Sequence, residues 1–331
     1  MRLRLLAAGL LLAMGSAAAG AAAADPSSPL TLEAKIPLGR VSGRIDHLAI
    51  DLKRRRLFVA ELGNNSLSVV DVASRKVLKT VAGFREPQGV GYEPSTDTVY
   101  VANAGDESVN VLRGEDLAPL GRIDLGSDAD NVRIDAVHRR VFVGYGDGAL
   151  AIIDPASRLK TGEIRLPAHP ESFQLVEDGA VVAVNLPDAH RIGIVNLGGG
   201  TLRLIATGSF AANFPMTVDR SAGRIIVAFR GPPMLAAYTI PQGELAAKLP
   251  ICADSDDLFV DAKRHRIYVS CGAGLVDVLA PAGDGYARLA RIPTASGART
   301  SLFVPELDRL FVAARAGWTE PAAILVFRPP S

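Results

Sequence analysis

Acidic side chains recur at one position of the sequence, immediately before short runs of apolar residues. Carboxylates that are brought together repel one another unless a cation or a basic ligand lies between them. Their oxygens suit Ca²⁺ or Mg²⁺, whereas neighbouring histidines would suit a transition metal. These acidic residues and the polar residues beside them are Asp46, His47, Gln88, Asp130, Asn131, His169, Glu171, Asp256, Asp257 and Arg299. They predict a binding site for a positively charged ligand, provided that the fold brings them together.

A second set of polar residues follows the longer apolar runs and is expected at the same site. Its members are Glu61, Asn103, Tyr145, Asn185 and Arg230. For Asn103 and Asn185 the alternative is a turn cap, because asparagine side chains often satisfy backbone groups in turns. For His47 the alternative to a catalytic base is a packed or hydrogen-bonded side chain. No catalytic residue is assigned.

Metal ligation has four candidates, which are Asp46, His47, His169 and His190. Two of them, His169 and His190, are expected near the start of the same repeat. The spacing of the candidates is not the compact spacing of zinc sites, so no set of metal ligands is assigned. No cofactor is expected, and the alternative is a divalent cation held by these residues.

The elements that must position these residues repeat seven times along the chain. The first copy, at 56–60, reads Arg-Leu-Phe-Val-Ala. The central residues of the copies are Phe58, Tyr100, Phe142, Val182, Ile226, Tyr268 and Phe311, at steps of 42, 42, 40, 44, 42 and 43 residues. Each period contains four short apolar runs separated by turn residues, which is typical of a four-stranded blade. The sequence therefore predicts an all-β fold, a seven-bladed β-propeller.

The last repeat contains only three apolar runs, so its fourth strand is expected at the other end of the chain. Residues 30–39 have the pattern of a fourth strand, such as 120–126, and are predicted to pair with 300–329. Closing the ring in this way removes two exposed sheet edges. In such a ring, the loops between blades share a face with the loops between second and third strands. The candidate residues should therefore surround one mouth of the central channel.

The beginning of the chain reads as an export signal. Basic residues in 1–4 precede an apolar stretch at 5–14 and a small-residue cleavage site at 22–24. We expect residues 1–24 to be removed, leaving 25–331 as one propeller domain in the periplasm or secreted. The apolar stretch is short for a membrane span, and a retained N-terminal anchor is the alternative. A monomer without a membrane span is expected after cleavage.

The balance of charge bears on the kind of partner, and the cysteine content bears on the cellular compartment. The chain has 36 basic and 35 acidic residues, which disfavours nucleic-acid binding. Basic clusters at 53–56, 139–140 and 263–266 could dock an anionic partner, but acidic turns in the other blades favour solvated hairpins. The two cysteines, Cys252 and Cys271, should reach the same face of adjacent blades, so a disulfide is predicted in an oxidising compartment.

One repeat carries a short signature. Residues 100–103 read Tyr-Val-Ala-Asn, looser versions occur at 58–61 and 268–271, and third strands end in Val-Val-Asp at 69–71 and Ile-Ile-Asp at 152–154. These features resemble the Tyr-Val-Thr-Asn signature and third strand of the YVTN-type (YncE-like) β-propeller family. The resemblance covers about residues 30–329. It implies an exported seven-bladed propeller of mostly unassigned biochemistry.

Two functions are consistent with these residues. The first is a non-catalytic scaffold that binds a small molecule or a protein partner in the funnel at the channel mouth. The alternative is a lactonase-like hydrolase or lyase, in which a metal or His47 polarises a carbonyl group. We favour the scaffold because no nucleophile, base and orienting group can be assembled from the sequence.

Overall fold

The seven repeats form seven four-stranded antiparallel sheets arranged in a ring, as predicted. The computed structural model describes residues 28–330, so the predicted export signal at 1–24 lies outside the described residues. The first strands in the chain are β1 (Thr31–Pro37), β2 (Leu48–Asp51), β3 (Arg56–Glu61), β4 (Ser66–Asp71), β5 (Lys76–Ala82), β6 (Pro87–Glu93), β7 (Thr98–Asn103), β8 (Ser108–Arg113), β9 (Pro119–Asp124), β10 (Ala129–Asp135), β11 (Arg140–Tyr145), β12 (Ala149–Asp154) and β13 (Leu159–Arg165). The later strands are β14 (Phe173–Val176), β15 (Val181–Leu186), β16 (Arg191–Asn196), β17 (Thr201–Ala206), β18 (Ala211–Asp219), β19 (Arg224–Gly231), β20 (Pro233–Thr239), β21 (Leu245–Pro250), β22 (Ser255–Asp261), β23 (Arg266–Cys271), β24 (Leu275–Ala282), β25 (Gly285–Pro293), β26 (Ser301–Val304), β27 (Arg309–Ala314) and β28 (Ala323–Arg328). Short 3₁₀ turns lie at Leu62–Asn64, Glu177–Gly179 and Pro305–Leu307.

Blades 1 to 6 each contain four consecutive strands, from β2–β5 to β22–β25. The first strand of each blade begins at one end of the central channel, and we call this end the channel mouth. The opposite side, where first and second strands are joined by tight turns, is the hairpin face.

The second strand of each blade is the centre of its core. In β3, for example, Phe58 and Val59 are fully buried, and Tyr100 in β7 is buried equally. β-branched and aromatic residues occupy both faces of these strands because each blade is covered by two neighbours. The outermost strands, by contrast, leave most side chains exposed, as in β5.

The last blade is closed by the N-terminal strand, which confirms the prediction. β1 pairs antiparallel with β28, and Thr31 lies opposite Arg328. Ile36 is buried in a cluster shared by blades 7 and 1, where Leu57 and Ile324 also lie. The sheet order β1-β28-β27-β26 thus leaves neither end of the ring unpaired.

The first strands are irregular where they begin. Register shifts occur in β6, β10, β18 and β22, within their first few residues. Gln88, Asp130 and Asp256, which the sequence analysis places in loops between blades, therefore lie inside first strands. A β-bulge allows polar residues to stay in the strand while their side chains are turned in a new direction.

Ion pairs join neighbouring blades on the hairpin face. Arg54 of blade 1 donates two hydrogen bonds to Asp97 of blade 2, at 2.7 and 2.9 Å. Arg264 of blade 6 donates two to Asp308 of blade 7, both at 2.9 Å. Arginines from two of the predicted basic clusters are therefore neutralised by the next blade, and we call these two contacts the hairpin clamps.

A disulfide joins blades 5 and 6 on the side of the channel mouth. Cys252 follows β21 and Cys271 ends β23, and their Cα atoms are 5.9 Å apart. Both residues are buried. The bond therefore connects the end of one blade to the second strand of the next.

Candidate binding site

Carboxylates from four blades meet at the channel mouth. Asp46 lies before β2, Asp130 in β10, Glu171 before β14, and Asp256 in β22. Burial raises the pKa of Asp130 well above its usual value, and the charges of Glu171 and Asp46 raise it further. Burial, together with the charge of Asp256, raises the pKa of Glu171 to about 7. These interactions cross the mouth, so the carboxylates form one electrostatic group.

Arginines balance only one side of this group. Arg44 lies 2.8 Å from a carboxylate oxygen of Asp46. Arg299 is 2.9 Å from both Asp254 and Asp256, and Arg230 also pairs with Asp256. This arginine-balanced side is formed by blades 5, 6, 7 and 1. Among the described residues, no ion pair reaches Asp130 or Glu171, the mouth carboxylates of blades 3 and 4.

His47 lies between two carboxylates without a hydrogen bond to either. Its ring nitrogens are 3.9 Å from oxygens of Asp46 and Asp257. Burial, with a contribution from the charge of Arg133, lowers the pKa of His47 to about 4. The imidazole is therefore neutral at pH 7, which is consistent with a packed side chain.

Asp257 lies deeper, at the wall of the channel. Its Oδ2 accepts a 2.6 Å hydrogen bond from the backbone N–H of Ser301. Burial nevertheless raises the pKa of Asp257 well above its usual value. The charges of Asp256 and Asp46 raise it further, so Asp257 belongs to the same electrostatic group as the other four carboxylates.

The channel below the mouth contains a cavity of about 360 Å³, lined by the first strands. Its wall combines apolar groups, such as Met216 and Phe259, with the polar side chains of Ser172 and Gln174. Arg133 also lines it and donates a 3.1 Å hydrogen bond to the carbonyl of Phe173. Burial lowers the pKa of Arg133. The sequence analysis missed this residue.

Of the five predicted residues at the ends of second strands, Arg230 pairs with Asp256 at the mouth, whereas the other four do not face the channel. The side chains of Glu61, Asn103, Tyr145 and Asn185 are buried among neighbouring strands. Asn103 donates a 2.9 Å hydrogen bond to Asn110, and the Tyr145 hydroxyl donates one of 2.8 Å to Glu163 on the outermost strand. These four residues occupy equivalent positions in their blades. At this position the side chain points into the packing between sheets.

The remaining candidates lie at the mouth or near it. Gln88 donates a 3.2 Å hydrogen bond to Asp128. Asn131 is 2% exposed, and within residues 28–330 its Oδ1 has no hydrogen-bond partner. His190 is exposed on blade 4. It is not part of the cluster of Asp130, His169 and Glu171.

Three potential metal ligands come together on the side of the mouth where, within the described residues, no arginine forms an ion pair. One ligand atom each from Asp130, His169 and Glu171 lies within 4.8 Å of the other two. It is the one group of three or more such residues in the part of the chain that the structure describes. The sequence analysis named His169 and Glu171 but did not combine them with Asp130 as ligands.

The fold is shared with solved structures of low sequence identity. A chain of hydrazine synthase from Kuenenia stuttgartiensis is 17% identical, with a TM-score of 0.74 over 86% of this chain and 97% of that chain. A chain in a crystal structure of the mitotic checkpoint complex is 14% identical, with a TM-score of 0.77 over 99% of both. No protein-family model matches the sequence, and no curated relative is found. These similarities establish the fold alone.

The described residues also bear on membrane association. Within 28–330, none of the helices has the length and apolar character needed to cross a membrane.

Proposed function

We propose that this protein is a non-catalytic binding scaffold, and that its channel mouth binds a positively charged group of a small molecule or peptide. The observation that carries the proposal is the convergence of five carboxylates, Asp46, Asp130, Glu171, Asp256 and Asp257, each with a raised pKa. A bound cation would stabilise their ionised forms, so part of the binding energy comes from relief of their mutual repulsion.

The shape of the site supports a ligand with an apolar part. The cavity beneath the mouth has room for an aliphatic chain, since Met216 and Phe259 form part of its wall. Ser172 and Gln174 offer hydrogen bonds at the same level. A guest with an ammonium or guanidinium group at one end would therefore meet charge at the mouth and apolar surface below it.

A protein partner is the other source of such a group. The fold is compatible with protein interaction, and one of the similar structures is a chain of a protein complex. A lysine or arginine side chain of a partner presents the same chemistry as a free amine. A comparison of the binding of free amines with that of short basic peptides distinguishes a small-molecule ligand from a protein partner.

The proposal is tested by thermal denaturation with matched ligands. Agmatine, spermidine and Lys- or Arg-containing tripeptides should raise the Tm, whereas uncharged analogues of the same length should not. The double variant Asp46→Asn/Asp256→Asn should lose the shift. Asp178→Asn is the matched control, because Asp178 is exposed on the hairpin face of blade 4. Equal shifts with charged and uncharged compounds, or none with any cation, would contradict the proposal.

The hydrolase alternative makes a different prediction. A general base works best when its pKa lies near the working pH, and the pKa of His47 is lowered to about 4. Lactone hydrolysis by the purified protein, abolished in His47→Gln, would replace the binding proposal. If the protein hydrolyses none of a panel of lactones, the binding scaffold remains the better-supported function.

Two further expectations belong to this proposal. We propose that the chain is exported with residues 1–24 removed, and that it is a member of the YVTN-type family. The charged, apolar and small-residue segments at the start of the sequence support export, and the signature at 100–103 supports the family. Amino-terminal sequencing of the mature protein from a cell-envelope fraction should begin at Asp25, and Met1 in that fraction would contradict cleavage.

A further inference from the structure

The group formed by Asp130, His169 and Glu171 joins two neighbouring blades. Asp130 lies in β10 of blade 3, and the other two residues lie in the segment between β13 and β14 that leads into blade 4. One imidazole and two carboxylates supply three donor atoms within 4.8 Å of one another. Metal–ligand bonds to nitrogen and oxygen are about 2.0–2.2 Å long, so small side-chain rotations would bring all three donors onto one ion.

Asp130 is the strongest single indication that this group binds a ligand. Its side chain belongs to a residue that is only 6% exposed. Within residues 28–330, no hydrogen bond or ion pair is made to its carboxylate. Its carboxylate oxygens are not sealed among the buried atoms that lack a partner, so they are accessible from the channel mouth, where a bound cation would be a favourable partner.

The backbone around Asp130 is held by a close approach between blades. A Cβ atom added at Gly89 of blade 2 would lie only 2.1 Å from the carbonyl oxygen of Asp130. Only glycine allows the two first strands to approach this closely. This close packing fixes the backbone of Asp130 at the mouth. The position of its side chain is therefore set by the contact between the two blades.

His169 has the hydrogen bond that orients a metal ligand. Its Nδ1 lies 2.5 Å from the carbonyl oxygen of Gly146. A carbonyl oxygen can only accept, so Nδ1 carries the proton and Nε2 keeps its lone pair. Histidines that bind metals commonly donate their other ring N–H to a backbone carbonyl in this way.

Within the described residues, no cationic side chain forms an ion pair with Asp130 or Glu171, although Arg133 acts on Asp130 through its charge from the wall of the channel. The arginines of the mouth are committed to other carboxylates: Arg44 pairs with Asp46, and Arg299 pairs with Asp254 and Asp256. The carboxyl groups of Asp130 and Glu171 thus lack an arginine partner, and a bound metal ion would supply the positive charge.

We propose that Asp130, His169 and Glu171 bind one divalent first-row transition-metal ion, such as Zn²⁺ or Mn²⁺. The imidazole favours these ions over Ca²⁺ and Mg²⁺, which prefer sites made of oxygen alone. Three protein ligands leave coordination positions open toward the mouth. The inference deepens the proposed function, since it assigns a metal to one corner of the same anionic mouth.

The test is isothermal titration calorimetry of the chelator-treated protein with ZnCl₂ or MnCl₂ and no organic ligand. The wild-type protein should bind one ion per chain, and His169→Asn should weaken binding by at least tenfold. Asparagine at this position can still donate a hydrogen bond to the carbonyl of Gly146, so we expect the variant to fold. His190→Asn is the matched control, because it removes an exposed histidine of the same blade outside the group, and it should bind as the wild type.

Circular dichroism and thermal denaturation show whether each variant is folded. If His169→Asn does not fold, Glu171→Gln takes its place, with the same expected loss. The metal site is overturned if the wild type binds neither Zn²⁺ nor Mn²⁺, if it binds only Ca²⁺, or if the folded variants bind as the wild type does. Because no amine or peptide is present, a failed ligand screen does not affect this result. Equally, failure of the metal titration leaves the response to basic ligands standing.

Discussion

The hairpin face and the channel mouth both carry aspartate and arginine side chains, but their carboxylates have opposite pKa shifts. Hydrogen bonds from Arg54 lower the pKa of Asp97, and those from Arg264 lower the pKa of Asp308. At the mouth, burial raises the pKa of Asp130 and Asp257. The same residue types therefore stabilise the ring on one face and oppose its stability on the other.

The difference follows from the number of partners rather than from the number of charges. Each hairpin clamp gives one aspartate two donors from a guanidinium group, in a geometry that suits a carboxylate. At the mouth, carboxylates from four blades compete for arginines that lie mainly on one side. The hairpin face therefore holds the ring together, whereas the channel mouth is suited to bind a cation.

The largest effect is expected from breaking a hairpin clamp. Arg264 is only 8% exposed, and its loss leaves the buried Asp261 without its guanidinium partner. Arg264→Ala should lower the free energy of unfolding by about 4 kcal/mol, measured by urea denaturation followed by circular dichroism. Lys263→Ala is the control, since Lys263 is 67% exposed and should change stability little. Equal effects of the two substitutions would show that the clamp does not stabilise the ring.

Removal of the disulfide tests how the mouth side is held together. Cys252→Ala/Cys271→Ala frees a connection between residues 19 apart in sequence and should cost about 3 kcal/mol of stability. A reducing agent should destabilise the wild-type protein under conditions that allow reduction, but should not affect the variant. An oxidised wild type no more stable than the double variant would contradict this expectation.

The smallest effect, and the one that most directly contrasts the two faces, concerns pH. A carboxylate with a raised folded-state pKa contributes stability at low pH that is lost as pH rises, so Asp257→Asn should stabilise the protein on the order of 1 kcal/mol at pH 8. The gain should shrink as the pH falls, because a growing fraction of the wild-type carboxyl is then protonated. Asparagine keeps an acceptor for the Ser301 N–H. The groups that act on Asp257 are Asp46, Asp256 and Arg133.

Asp97→Asn on the hairpin face is the contrasting variant. The pKa of Asp97 is lowered, so its contribution is present above its unfolded-state pKa and is lost as pH falls. This substitution should destabilise the protein at pH 7, with a difference that decreases in acid. Melting curves between pH 4 and 8 measure both variants, and a shift of the same sign in both would remove the contrast between the faces.

The fold could be predicted almost completely because its signal is repeated. Seven apolar copies at a steady period define the blades, and the pattern of residues 30–39 identifies the strand that closes the last one. An irregularity in one copy does not obscure the period, because the other copies keep it. Even blade 4, with Val182 where five of the other six blades have an aromatic residue, keeps its place in the ring.

The site was only partly predictable, because a side chain's direction depends on its position within a strand. Asp46, Glu171 and Asp256 precede or begin first strands and reach the mouth, as expected. Tyr145 ends a second strand, where the pleat directs it into the blade instead. A comparison of equivalent positions in all blades would have shown that residues at this position are mostly buried.

Contacts between blades were beyond what the repeat pattern alone could specify. Arg133 is a single charged residue between Val132 and Ile134, and this interruption of an apolar strand was the available signal. The approach of Asp130 to His169 and Glu171 depends on the spacing of two blades, which Gly89 helps to set. Neither distance can be read from a sequence period.

The pairing of β1 with β28 has a consequence for how the ring is made. Contacts between residues far apart in sequence are slow to form, because a long loop must close first. Blades 1 to 6 can assemble one after another as the chain is synthesised, whereas β1 waits until β28 has emerged from the ribosome. Linking residue 330 to residue 28 and opening the chain at an exposed hairpin would turn this late, distant encounter into a local one, and the circularly permuted protein would complete its seventh blade early while keeping the same final architecture.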